Sequence, residues 1–149
     1  MFELVNIFAV FVATVSTFLF GWLWYSKFLF GNQWMTSVGK TTDQMMANKK
    51  EMPRVMAFGF FITFITNYAL AVMFAVIAPG NIVEVLGIAL FLCFAFVVTT
   101  KFTELIYQSR EPHWSRKPQM LFLISSGYHL GSFVISALVL WFFMNGMSL

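Results

Sequence analysis

The chain has 149 residues, of which 60% are hydrophobic and 10% charged, with a mean hydropathy of +0.80. Soluble domains carry about 25% charged residues, so this composition excludes a water-soluble globule and leaves lipid as the solvent for most of the surface. The net charge of +3 does not mark a nucleic-acid binder, because the basic residues fall in two short connections and form no basic face.

Crossing a bilayer core takes roughly 20 apolar residues in a helix, and four runs meet that length: about 4–24, 55–78, 82–100 and 120–144. Glu84 and His129 are the acidic and basic side chains within them. Lipid cannot satisfy an open sheet edge, and the alternation of a lipid-facing barrel strand is absent. The expected fold is therefore all-α: a single domain over residues 1–149 built as a four-transmembrane-helix bundle. The first run has no basic residue before it and no clear small-residue cleavage site after it. It is expected to be retained and not removed as a signal peptide.

The first run ends in GWLWYSKFLFGNQW, residues 21–34. Two readings stand for this aromatic stretch. In one, Trp24, Tyr25 and Trp34 sit as an interfacial belt at headgroup depth, Lys27 snorkels outward, and Gly31 supplies the backbone freedom to turn along the surface. In the other, Trp24, Tyr25, Phe30 and Trp34 form a ligand box. Further on, Thr41 and Gln44 have capping-box spacing, so TDQMMANKK is expected to form a short helix on the membrane surface. Pro53 stands where the second helix begins.

Pro79-Gly80-Asn81 predicts a tight turn between the second and third runs. Asn81 is placed to cap the third helix, with Glu84 reaching back. Cys93, the one cysteine, has no internal disulfide partner and reads as an apolar packing residue. If the third helix continues to Tyr107, Lys101 and Glu104 share a face and pair. His113 reads as a wet loop histidine, and Arg110, Arg116 and Lys117 as attractors of anionic lipid headgroups. Pro118 stands at the start of the fourth helix. In that run Gly127 and Gly131 form a GxxxG pair, and Ser132 and Ser136 repeat the spacing. Such residues allow close approach within the bundle, or alternatively at a homodimer seam.

All nine Lys and Arg lie in two connections, residues 26–54 and 101–119. The positive-inside rule then puts both connections in the cytoplasm and both termini outside.

The pattern Gly21-x-x-Trp24-Tyr25-Ser26-x-x-x-Phe30-Gly31-x-x-Trp34 resembles the N-terminal signature of the domain of unknown function 1761 family. These are small integral membrane proteins found mainly in bacteria. Gly127-Tyr128-His129 is similar to a second element of that family, in its last span. Lys27 departs from the pattern, standing where proline is expected. The resemblance implies a four-helix protein of the bacterial inner-membrane type and implies no activity.

His129 is the residue most suggestive of chemistry, because a histidine within a span is costly unless partnered. Counting ~1.5 Å per residue from the basic ends brings polar groups of all four spans to similar depths. The expected polar layer, a candidate site for a small ligand or proton, is His129, Tyr128, Asn67, Thr63 and Thr17. The alternative is that His129 merely hydrogen-bonds across helices. Hydrolase elbows, zinc motifs and phosphate-binding glycine loops are absent from the sequence, so no metal, cofactor or catalytic residue is expected. Three functions follow in order. The first is a non-catalytic module packing with lipid, a second copy or another membrane protein. The second is a small transporter or channel component, and the third is an enzyme acting on a membrane lipid.

Overall fold

A computed structural model describes residues 5–40, 50–108 and 117–146. Of the expected helix TDQMMANKK (residues 42–50), all but Lys50 lies outside these residues, as do Arg110, His113 and Arg116. All regular structure described is helical: α1 (Ile7–Trp24), α2 (Gly31–Val38), α3 (Met52–Ile77), α4 (Ile82–Leu92), a π-helical turn (Cys93–Val98), α5 (Thr99–Gln108) and α6 (Pro118–Gly146). Four helices are long and apolar enough to cross a membrane: Ile7–Trp24, Met52–Ile77, Ile82–Tyr107 and Pro118–Asn145. This is the pattern of a multi-pass membrane protein, and the all-α expectation holds.

The helix starts follow the sequence. Asn6 Oδ1 accepts from the Ala9 amide at 3.1 Å and caps α1. Asn81 Oδ1 accepts from the Glu84 amide at 3.0 Å, while the Glu84 carboxylate takes the Gly80 amide and the Asn81 carboxamide, each at 2.8 Å. This is the reciprocal cap expected of that turn. The third span does not stop near residue 100. It passes through the π turn and runs on as α5, where Lys101 Nζ lies 3.0 Å from Glu104 Oε2.

The spans are arranged with α6 in the middle. The first span packs along one side of α6, and α4, the π turn and α5 pack along another. The second span lies mainly on the first and meets α6 briefly, and the second and third spans share little contact although they are consecutive. The core joins Ala9, Val10 and Ala13 of α1 with Leu70 and Phe74 of α3, Val85 and Ala89 of α4, and Ala137 and Leu140 of α6. Large apolar side chains point outward on every span, as lipid-facing surfaces require.

Candidate functional site

After Trp24 the chain folds into a hook before α2. The Phe30 amide donates to Trp24 O at 3.0 Å, and the Gly31 amide donates to Ser26 O at 2.9 Å. α2 therefore returns against the start of α6, where the Lys117 amide donates to Ser37 O at 3.3 Å. The backbone at Gly31 does not have a positive φ; among the described glycines only Gly39, which caps α2, does. Gly31 is needed for space instead: a Cβ there would lie 2.4 Å from Tyr25 O and 2.7 Å from Ser26 O.

The hook brings the aromatic stretch onto α6. The Trp24 indole N–H donates to Ile124 O at 3.1 Å. Its ring lies over Gly127, whose absent Cβ would sit 3.0 Å from Trp24 Cζ2. Phe20 occupies the space at Gly131, where a Cβ would meet its ring at 2.6 Å, and Tyr128 lies 3.1 Å from the Cβ position of Gly21. Tyr128 stacks on Phe20 with centroids 6.0 Å apart and also meets Tyr25 at 5.3 Å. Tyr25 touches Trp34 at 5.8 Å, and Trp24 touches Phe30 at 4.5 Å. Gly127 and Gly131 thus receive rings from α1 of the same chain. Ser26 lies in the hook with its hydroxyl buried and unpartnered among the described residues.

Tyr25 lies just beyond the first span. Burial pushes its phenol up from 10.0 to about 12, against a hydrogen bond from Ser125 that acts the other way. The folded value is above the unfolded one, so the protonated phenol contributes stability below pH 10 that is lost as pH rises toward about 12. In a tyrosinate absorbance titration, a phase near pH 12 should vanish in Tyr25→Phe. If the titration is unchanged, Tyr25 is not buried as described.

The five residues of the expected polar layer fall at two levels. Asn67 Nδ2 donates to Thr14 Oγ1 at 3.2 Å and to Thr17 Oγ1 at 3.3 Å, and the Ser136 hydroxyl donates to Asn67 Oδ1. This buried node joins α1, α3 and α6. Thr63 stays on its own helix, donating to Gly59 O at 2.8 Å. Tyr128 and His129 lie about two helical turns from Ser136, ~10–12 Å along α6. Ser132, between the levels, is buried with its hydroxyl unpartnered among the described residues. Thr99 and Thr100, at similar depth on the third span, are exposed and donate to carbonyls of their own helix.

His129 meets the Tyr128 ring at 5.1 Å and lies within electrostatic reach of Lys101 and Glu104. Those charges border a cleft of about 230 Å³ between α2, α5 and α6, lined also by Trp34, Phe122 and Ser125. Ser125 precedes His129 by one turn on the same helix face. Among the described residues, no three His, Cys, Asp or Glu side chains come together as metal ligands.

The two stretches that meet in this site, the aromatic hook and Gly127-Tyr128-His129, both fall within residues 8–141, the region matched by the family model described as a protein of unknown function (DUF1761). The chain belongs to this family. The chain matches no curated protein and no solved structure. In this DUF1761 protein, then, the two motif elements are neighbours in space, with the second providing the floor on which the first is laid.

Phe20, Ser125, Thr14 and Ser136 belong to these contacts although the sequence did not single them out as site residues. Thr14 and Thr17 are three apart and share a helix face, a signal that was available. For Phe20, one apolar residue among many, none was.

Proposed function

We propose that this DUF1761 protein is a non-catalytic membrane module that presents a pre-formed surface to lipid, to a second copy or to another membrane protein. The carrying observation is that two polar groups of the aromatic stretch are spent on α6 of the same chain: the Trp24 N–H is bonded to Ile124 O, and Tyr25 is bonded to Ser125. The aromatic stretch then acts as an anchor locking α2 to α6. Distribution of the nine Lys and Arg supports an orientation with the hook and both basic connections in the cytoplasm and both termini outside. The setting is a cell membrane of the bacterial inner type.

The cleft bordered by Lys101 and Glu104, with His129 one turn deeper than its Ser125, favours a second reading: a small-ligand or proton site of a transporter component. Native mass spectrometry of the protein released from lipid nanodiscs separates the two. The module reading expects no small solute whose retention depends on His129. A retained solute, lost in His129→Gln, would replace that reading with the second.

A further inference from the structure

A larger cleft at the basic end is lined by neither Tyr128 nor His129. It measures about 400 Å³ and is lined by Lys27 and Leu29 of the hook, Asn32, Gln33, Thr36 and Ser37 of α2, and Lys117 and Met120 at the start of α6. Lys27 and Lys117 come from different connections and converge here because α2 is clamped to the start of α6 through the Lys117 amide and Ser37 O. Both lysines are exposed, and neither forms an ion pair among the described residues. Among the described residues, no carboxylate lines the cleft.

Thr36 and Ser37 donate their hydroxyls to Asn32 O and Gln33 O, at 2.9 and 2.7 Å. Asn32 and Gln33, whose carboxamides are hydrogen-bond donors, line the same cleft as the two lysines. α2 has no side-chain cap at Phe30 and no acidic residue in its first turn, so its positive end adds to the same field.

We propose that this cleft binds the phosphate-bearing headgroup of an anionic phospholipid. Two lysines and two carboxamide side chains lining one cleft suit the oxygens of a phosphodiester, and the volume is that of a small-ligand site. The same chemistry would accept a free phosphate. The apolar surroundings favour the lipid: Leu29 and Met120 lie in the lining, and Phe28, beside Lys27, is 93% exposed. A phenyl ring so exposed next to a cation is suited to acyl chains below a headgroup. The site is independent of any role of His129.

The test uses nanodiscs of equal parts phosphatidylglycerol and phosphatidylcholine, with retained lipids counted by native mass spectrometry. Wild type should retain phosphatidylglycerol preferentially. Lys27→Gln with Lys117→Gln should lower that preference by about tenfold. Lys40→Gln with Lys50→Gln removes the same charge outside the cleft and should leave it intact. All four lysines are exposed, and an unchanged melting curve confirms that each variant folds. Equal loss in both double variants would reduce the effect to general charge attraction and overturn the site. Full retention without Lys27 and Lys117 would overturn it too. Displacement of the lipid by millimolar inorganic phosphate would assign the cleft to free phosphate instead.

Discussion

Gly31→Ala should lower the thermal unfolding midpoint of the detergent-solubilised protein sharply, with a loss of roughly 3 kcal/mol, at the upper end for adding a methyl to a filled site. A Cβ at this position would lie 2.4 Å from Tyr25 O, 2.7 Å from Ser26 O and 2.9 Å from Ser26 C. All three are backbone atoms, so no flexible side-chain tip can swing aside. The backbone is tied as well, because the Gly31 amide is bonded to Ser26 O at 2.9 Å and the Phe30 amide to Trp24 O at 3.0 Å. Relief therefore requires α2 to move away from the end of α1. That motion would separate Tyr25 from Trp34 and loosen α2 from α6. Gly87→Ala is the matched control: its Cβ would meet nothing within 4 Å, and replacing a helical glycine by alanine stabilises by up to ~1 kcal/mol. Melting curves of the two variants decide the matter. If Gly31→Ala melts with wild type, the close approach in the hook does not exist.

This position also shows where sequence reasoning ends. The glycine was legible as special, but conformational freedom was the wrong reason for it. Its φ is not positive, and what it provides is space, which depends on atoms brought close by the fold. The spans were legible because lipid imposes a length and an apolar composition on each helix. The second was expected at 55–78 and runs Met52–Ile77; the fourth was expected at 120–144 and runs Pro118–Gly146. The third continues past residue 100 because Thr99–Gln108 is polar enough to end a hydropathy run yet contains nothing that breaks a helix. A helix at Gly31–Val38, starting within the aromatic stretch, was not expected from the sequence.

The polar layer illustrates a second limit. Counting residues gives depth along one helix but neither the rotation of that helix nor its stagger against its neighbours. Thr17 and Asn67 do meet, whereas Tyr128 meets Tyr25 of the hook and His129 lies within electrostatic reach of Lys101. The GxxxG pair was likewise legible as a close approach. That aromatic rings, and not a second helix backbone, fill it depends on the return of the hook onto α6.

Asn67→Ala should cost roughly 2–3 kcal/mol, made up of lost interhelical hydrogen bonds at about 0.6–1.7 kcal/mol each and a small buried cavity. Its three partners are not equal. Thr14 and Thr17 already donate their hydroxyls to Val10 O and Ala13 O of their own helix, at 2.7 and 2.9 Å. Thr14→Val and Thr17→Val should therefore each cost below ~1 kcal/mol. Ser136 is different, because its hydroxyl donates across to Asn67 Oδ1. A double-mutant cycle of Asn67→Ala and Ser136→Ala should give a coupling near ~1 kcal/mol. The effect should also be local. Only 17% of the second span's most apolar window is buried, against 39% for the fourth, and Asn67 marks where the second span reaches α6. Losing the node should loosen the second span from α6 while leaving the hook seated there. Engineered cysteine cross-links between the second and fourth spans should then form less readily in Asn67→Ala, while the Tyr25 titration near pH 12 persists. Zero coupling in the cycle would mean that apolar contact alone holds the second span in place.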